Sequence, residues 1–476
     1  MASRVFQSSL SLSKIPELWR DTSALKGAFE EGDLSAVAAK LQTTLHLLEN
    51  ARLDIGITGG TGLGKSTFVN TIRGLGDEDP KSAYTGVVEM TVGPTPYAHP
   101  KYPNVIIWDL PGISTPTFQA EKYLQRVLPA RYDFFIIITS QSFTAHHAQL
   151  AREILQLGKH FYLIRSEVDV DIAASRSRRP STFSEERVLS QIWEDCWRRL
   201  EGEGQALGGW AGWILEGPPA PSPSSSSGGP QWGKGSSNVT LRDPARPRSE
   251  VMLTAAIHFL RVGASQSQDP KVFLLSMFEL GKYDFHLLEE VMAKDLESHK
   301  RHVLLLAMPS VSEPVLERKA ASLRQLIWLV AAVACGVNPS PVPGVQDVVC
   351  DLHMLIDSLE GYRRSFGLDK DSLVTLAGQT GQPLHKILEA ARGPKTVTEA
   401  LVVELLGQAS RDASAFTQEL LNVPVLGTLA TCGLSFATIY QMLCTSLDEA
   451  VKDAQRVLLQ AFLDNSDHEL PERSDQ

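Results

Sequence analysis

Eight consecutive residues, Gly59-Gly60-Thr61-Gly62-Leu63-Gly64-Lys65-Ser66, follow the pattern G-x-x-x-x-G-K-[ST] and constrain the fold more than any other feature of the chain. Such a loop needs glycines because successive backbone N–H groups must turn inward and close around phosphate oxygens. Leu53-Asp54-Ile55-Gly56-Ile57-Thr58 before it reads as a short buried strand. Ser66-Thr67-Phe68-Val69-Asn70-Thr71-Ile72 after it reads as a helix, whose N-terminus favours an anion. Strand, loop and helix together predict a nucleotide-phosphate site lined by Gly59 to Ser66 and Thr67. Lys65 would reach the β- and γ-phosphates, and the Ser66 hydroxyl would ligate Mg²⁺.

The surrounding chain extends that unit into an α/β domain. Val105-Ile106-Ile107-Trp108, Phe134–Ile138, Phe161–Ile164 and Val272–Leu275 are continuous apolar runs separated by helical stretches. Runs of this kind are strands buried on both faces, which predicts a mostly parallel sheet. The alternation breaks at about 203–267, where Gly217 to Gly229 is built of Pro, Ser and Gly and buries too little to fold. The insert reads as a flexible regulatory segment, an ordinary disordered loop or translated non-coding sequence. Val37, Leu41, Leu45 and Leu48 lie at helical spacing upstream, which predicts an amphipathic helix from Ser35 to Asn50, and a further helix is expected around 16–30. Beyond Ser310 the pattern is helical: Val345, Val348, Val349, Leu352, Ile356 and Leu359 trace one predicted helix face, and Leu447, Val451, Ala454, Val457, Leu458 and Phe462 another. The expected organisation is an N-terminal helical segment (1–50), a P-loop domain (51–300) carrying the insert, and a C-terminal helical domain (301–476).

Further chemistry follows the strands. Asp109-Leu110-Pro111-Gly112 comes directly after Trp108, so Asp109 would hold Mg²⁺ through water and the Gly112 N–H would sense a γ-phosphate. In the loop Thr85-Gly86-Val87-Val88-Glu89-Met90-Thr91, either Thr91 or Thr85 would complete the Mg²⁺ shell, and each is equally readable as a turn residue. GTPases carry [NT]-K-x-D after the strand that ends here at Ile164, and this chain carries Ser166-Glu167-Val168-Asp169. Asp169 can accept from guanine N1–H and N2–H₂, whereas adenine offers it an acceptor and nothing more. Glu167 replaces the lysine whose stem would lie along the base. Ser276, after the last strand, stands where a final base contact is made.

These motifs resemble the immunity-related GTPase family, over about 34–199 and 270–461. Arg131-Tyr132-Asp133-Phe134-Phe135, Lys159-His160-Phe161-Tyr162, Tyr362 to Asp369 and Asp453-Ala454-Gln455-Arg456-Val457 carry the likeness beyond the phosphate motifs, with Ser365–Asp369 most similar to the cinema-type branch. The resemblance implies a helical domain built from both chain ends, GTP and GDP as ligands with Mg²⁺, and GTP-dependent, dynamin-like self-association in innate immune defence. It also implies that Glu89 takes part in GTP hydrolysis across a dimer and that Lys65 marks the subgroup keeping lysine in the loop. A nucleotide-degenerate pseudo-GTPase, acting as a scaffold or membrane adaptor, is the alternative that Glu167 favours.

Composition narrows the partners. The net charge of -10 argues against a nucleic-acid partner held by bulk charge. The five cysteines form no C-x-x-C pair, the N-terminus has no apolar leader and position 2 is Ala2, so a cytoplasmic protein is expected. Asn422–Leu447 carries no charged side chain and is long enough to span a bilayer, although its polar content fits a hairpin of buried helices equally. The family resemblance implies peripheral contact with intracellular membranes through this region. Leu326–Val337 is too short to span, so core packing is expected there. His299 and His302, with Lys300 and Arg301 between them, read as a solvated basic face.

Overall fold

The computed structural model describes residues 34–86, 93–113, 119–140, 143–206, 272–392, 396–421 and 434–463. They follow the order α1 (Leu34–Glu49), β1 (Leu53–Gly59), α2 (Lys65–Ile72), β2 (Thr95–Ala98), β3 (Val105–Asp109), α3 (Ala120–Val127), β4 (Phe134–Thr139), α4 (Ala145–Gln156), β5 (His160–Arg165), α5 (Val168–Arg178), α6 (Glu185–Ala206) and β6 (Val272–Leu274). Helices dominate thereafter: α7 (Phe285–Asp295), α8 (Ser298–Ala307), α9 (Glu313–Arg324), α10 (Ile327–Gly336), the two-residue strands β7 (Ser340–Pro341) and β8 (Val349–Cys350), α11 (Leu352–Ser365), α12 (Lys370–Thr380), α13 (Leu384–Ala390), α14 (Glu399–Leu421) and α15 (Leu434–Leu463). The expected helix at 16–30 and the body of the insert lie outside the described residues.

One six-stranded sheet has the order β2-β3-β1-β4-β5-β6. All its pairs are parallel except β2 with β3. Every residue of β1 and β4 is buried, as a strand covered on both faces requires. Parallel pairing brings the C-terminal ends of β1, β3, β4, β5 and β6 to one edge, and every phosphate motif sits on a loop leaving that edge. The strand β2 escaped the sequence reading because Pro96 argues against a strand. At the sheet's edge the missing N–H is tolerated, and exposure alternates along β2.

Among the described residues two large apolar cores form, beside a smaller cluster of Val168, Ile172, Leu274 and Tyr283. The first joins Leu53, Ile55, Phe134, Ile136, Tyr162 and Phe273 of the sheet to Leu288, Val303 and Leu304 of α7 and α8. The second packs Leu41, Leu45 and Leu48 of α1 against Leu316, Ile327, Leu359, Leu406, Leu443 and Leu447. The helical core is thus assembled from segments on both sides of the sheet in sequence. α10 is buried nearly all round. Glu313–Gly336 is long and apolar enough to cross a membrane by length and composition, yet 61% of its most apolar window is buried inside the protein.

Two local expectations change. The helix expected from Val345 starts only at Leu352, where the Asp351 carboxylate caps it by accepting the N–H groups of His353 (3.0 Å) and Met354 (3.2 Å). Pro341, Pro343 and Gly344 break the preceding stretch, which turns back so that the Val342 N–H reaches the Val348 carbonyl (3.0 Å). Val345 and Val348 remain buried, but from a turn rather than a helix. The basic run in α8 is also not a solvated face. His302 is buried against Ser322 (2.7 Å), Lys300 pairs with Asp133, and the Arg301 guanidinium donates to the carbonyls of Ala293 and Leu296.

Where the two cores meet, polar groups are paired across the junction. Lys101, just beyond β2, reaches Asp369 (2.6 Å), and the Tyr102 and Ser365 hydroxyls are 2.9 Å apart. Lys319 is 1% exposed. Its ammonium donates to the Ser365 carbonyl (2.7 Å), the Ser310 hydroxyl (3.0 Å) and the Leu306 carbonyl (3.3 Å). Three acceptors match its three protons.

Three histidines are buried without charge. Burial, reinforced by Lys101, pulls His99 from 6.5 to about 3. Burial and His146 pull His147 to about 4, and burial alone does the same to His302. Below the unfolded value of 6.5 the unfolded chain takes up protons that the native rings refuse, so stability falls as pH drops from 6.5 toward 4. Urea unfolding should therefore give a lower free energy at pH 5 than at pH 7, each ring contributing up to about 1.4 kcal/mol per pH unit. A profile flat over that interval would show that the rings reach solvent.

Candidate functional site

The phosphate motif forms a tight loop at the end of β1. Gly59 adopts φ +145°, and an added Cβ would lie 2.1 Å from the Ile138 carbonyl oxygen, so no side chain fits. Gly64 precedes α2 at φ +83° with open space around it, so there the backbone conformation rather than room demands glycine. Gly60 is buried, Thr61, Leu63 and Thr67 are half-buried, and Gly62 is exposed at φ +74°. Lys65 is 8% exposed and folds back over the loop, its Nζ donating to the Gly60 carbonyl at 2.9 Å. The Ser66 hydroxyl donates to Asp109 Oδ2 at 2.7 Å. Residues 43 apart in sequence thus converge because β1 and β3 are parallel neighbours whose ends coincide.

Beyond Asp109 the chain stays beside β1. The Leu110 N–H donates to the Ile57 carbonyl (2.9 Å) and the Ile113 N–H to the Gly59 carbonyl (3.1 Å), which holds half-buried Gly112 next to the loop. Tyr123 of α3 braces this path, its hydroxyl 2.6 Å from that of Thr58 and donating to the Pro111 carbonyl (2.9 Å). Asn70 of α2 clasps both backbone groups of Ala83, fixing the chain just ahead of the loop that begins at Thr85. Thr85 is half-buried there, whereas Glu89 and Thr91 lie outside the described residues.

The loops after β5 and β6 stand beside the phosphate loop. Ser166 is 1% exposed. Its N–H donates to the Thr139 carbonyl (2.8 Å), and its hydroxyl lies 3.2 Å from the carbonyls of Leu63 and Thr139. It therefore ties the end of β5 to the phosphate loop. Glu167 is exposed in the left-handed region (φ 60°, ψ 30°) at the N-cap of α5, and Asp169 is half-buried in that helix's first turn. A non-glycine residue in this conformation carries local strain, a condition that clusters at functional sites. Ser276 is fully buried and turns its hydroxyl inward, accepting from the N–H groups of Phe278 (3.3 Å) and Glu279 (3.2 Å). It shapes the last loop rather than pointing outward.

Lys65, Ser66, Asp109 and the Gly112 segment are therefore brought together, with Ser166, Asp169 and Ser276 on neighbouring loops of the same sheet edge. Asn70 and Tyr123 join the site from α2 and α3. Neither belongs to a local motif, and their contacts to Ala83, Thr58 and Pro111 carry no signal in sequence spacing.

The family model for Interferon-inducible GTPase (IIGP) matches residues 20–206 and 260–461. Interferon-inducible GTPase 5 of Bos taurus is 38% identical over 450 residues, covering 93% of this chain and 83% of that protein. Interferon-gamma-inducible GTPase 10 of Mus musculus is 30% identical over 444 residues, covering 93% and 90%. T-cell-specific guanine nucleotide triphosphate-binding protein 2 of Mus musculus is 34% identical over 358 residues, covering 75% and 71%. A sheet with a phosphate loop at its C-terminal edge, helices from both chain ends and likeness along nearly the whole chain lead to one conclusion: the chain belongs to the interferon-inducible, or immunity-related, GTPase family, on the side of its cinema-type branch.

Proposed function

We propose that this chain binds GTP and GDP with Mg²⁺ and hydrolyses GTP. The observation that carries the reading is the pairing of Ser66 with Asp109 at 2.7 Å directly beside the loop that Lys65 closes. A hydroxyl and a carboxylate are hard oxygen donors suited to Mg²⁺, which takes one or two protein ligands and completes its shell with phosphate and water. Among the described residues no group of three His, Cys, Asp or Glu side chains could hold a metal ion alone. The ion would rest on Ser66, on Asp109 through water, and on Thr91 or Thr85, and would neutralise charge on the β- and γ-phosphates.

The chain's own groups do the rest. Backbone N–H groups from Gly59 to Ser66 and Thr67 surround the phosphates, Lys65 swings from the Gly60 carbonyl onto them, and the Gly112 N–H meets the γ-phosphate. Asp169 reads guanine, while Ser166 and Ser276 hold its loop and the next one in place. Glu89 assists hydrolysis across a dimer formed by GTP-dependent, dynamin-like self-association in innate immune defence. Of residues 422–447, peripheral contact with intracellular membranes falls to 422–433, which lie outside the described residues, since Phe436, Ile439, Leu443 and Leu447 are buried in the helical core. Those roles rest on family likeness. The organisation that fits them is an N-terminal helical segment (1–50), a GTPase domain (51–300) and a C-terminal helical domain (301–476).

Titration of the purified protein with fluorescent GTP, GDP and ATP, with and without Mg²⁺, tests the reading. Tighter binding of GDP and GTP than of ATP, and GTP turnover per molecule that rises with protein concentration, are the expected results. Indifference to the base would favour the second reading, a nucleotide-degenerate scaffold, which Glu167 supports.

That residue gives the reading its own measurement. Its carboxylate is exposed beside Asp169 and near a polyanion, and charges some 4 Å apart repel by about 1 kcal/mol in bulk water. Glu167→Lys should tighten GTP and GDP by about tenfold, with little gain for ATP. Equal GDP affinity in parent and variant would mean that this loop does not meet the base.

A further inference from the structure

Phe278 is 81% exposed, more than any other large apolar side chain among the described residues. It stands in the loop that follows β6, and the loop is built to hold it there. Met277 is buried, and its carbonyl lies 3.4 Å from the Thr71 hydroxyl of α2. The buried Ser276 hydroxyl takes the N–H of Phe278 itself. One residue is drawn into the sheet and the next is turned out into water, at a fixed point beside the helix that leaves the phosphate loop.

Because β5 and β6 are parallel neighbours, with the Leu275 N–H on the Arg165 carbonyl (2.9 Å), residues 276–278 leave the sheet alongside 166–169. Phe278 thus shares an edge with Asp169 and with Glu167, whose short acidic side chain cannot lay an apolar stem along a base. We propose that Phe278 is the stacking platform for the purine ring of the bound nucleotide, supplying the apolar contact that Glu167 does not. This rests on the reading of the edge as a guanine-nucleotide site and adds to it a residue that sets affinity. Every base has a π-face, so the ring strengthens binding without choosing the base, and the choice stays with Asp169.

Phe278→Ala and Phe278→Trp, each compared with Lys65→Ala, test this by GDP and ADP titration of the full chain. The ring is exposed, so both Phe278 variants should unfold at the parent's midpoint. Phe278→Ala should weaken GDP by roughly tenfold to a hundredfold while the ratio of GDP to ADP affinity stays unchanged. Phe278→Trp should bind as the parent does, with indole emission quenched when GDP is added. Parent-like GDP affinity in Phe278→Ala, together with lost binding in Lys65→Ala, would overturn the platform and leave the phosphate site standing. Altered self-association at unchanged GDP affinity would also overturn it, assigning the ring to contact with a second copy. A parent that binds no GDP would remove both readings.

Discussion

Lys65→Ala should lose GTP binding by two to three orders of magnitude while the protein unfolds at close to its normal midpoint. The ammonium lies within the loop and donates to the Gly60 carbonyl. Its value lies in charge. At an effective dielectric of about 20, a unit charge 4 Å from another is worth roughly 4 kcal/mol, close to a thousandfold in affinity. The variant keeps the helix start, because alanine is the best helix former. Titration with fluorescent GTP beside thermal unfolding checks both halves. Parent-like affinity in a natively folded variant would remove the phosphate-loop assignment, and with it the Mg²⁺ site built on Ser66 and Asp109.

The largest stability effect is expected at Arg318. Glu289 is fully buried, and burial raises its carboxyl above the usual range. Arg318 Nη2 meets it at 2.7 Å and also donates to the His286 carbonyl at 2.7 Å. Arg318→Ala would strand a buried carboxylate, a change that costs about 3–5 kcal/mol. The stranded group has a folded pKa above its unfolded one, so the native state binds the extra proton and stability is lost as pH rises. The deficit should be greatest at pH 7 and shrink toward pH 5, as read from urea unfolding of parent and variant. Glu289→Leu combined with Arg318→Met should recover part of the loss, because neither member of the pair then remains to be solvated, although buried Lys319 loses the nearby carboxylate that favours its charge. A single variant within about 0.5 kcal/mol of the parent would show that water reaches Glu289.

What could be read from sequence was what neighbouring residues specify together. The phosphate loop is contiguous, and its glycines answer to local backbone geometry at Gly59 and Gly64. Asp109 was legible because it ends an apolar strand. The sheet's parallel strands were legible as unbroken apolar runs, since burial on both faces leaves no polar alternation. Contacts between distant residues were not. Nothing near Ser166 says that its hydroxyl will meet Leu63, and nothing near Tyr123 says that it will brace Pro111. The apolar spacing marks burial at Val345 and Val348 but not at Val349, which is 41% exposed, and it suggests the wrong backbone, because Pro341, Pro343 and Gly344 override a periodic pattern. Likewise His302 sits in a basic run, yet the face it occupies is set by α9 through Ser322. Charge density along a helix does not report which side meets a neighbour.

The place of α1 has a consequence for the birth of the chain. Its apolar stripe, Leu41, Leu45 and Leu48, belongs to a core completed by residues of α9, α10 and later helices, which the ribosome adds about 270 residues afterwards. At roughly 5–20 residues per second, that delay lasts on the order of a quarter of a minute to a minute. Meanwhile the sheet can close its own core with β6, α7 and α8, whose apolar residues end at Met308. The first of the described helices is therefore among the last to be buried. Through that interval it is an amphipathic segment without most of its core, open to chaperones or to the α10 surface of another nascent chain. An exchange of α1 between two copies would satisfy the same contacts.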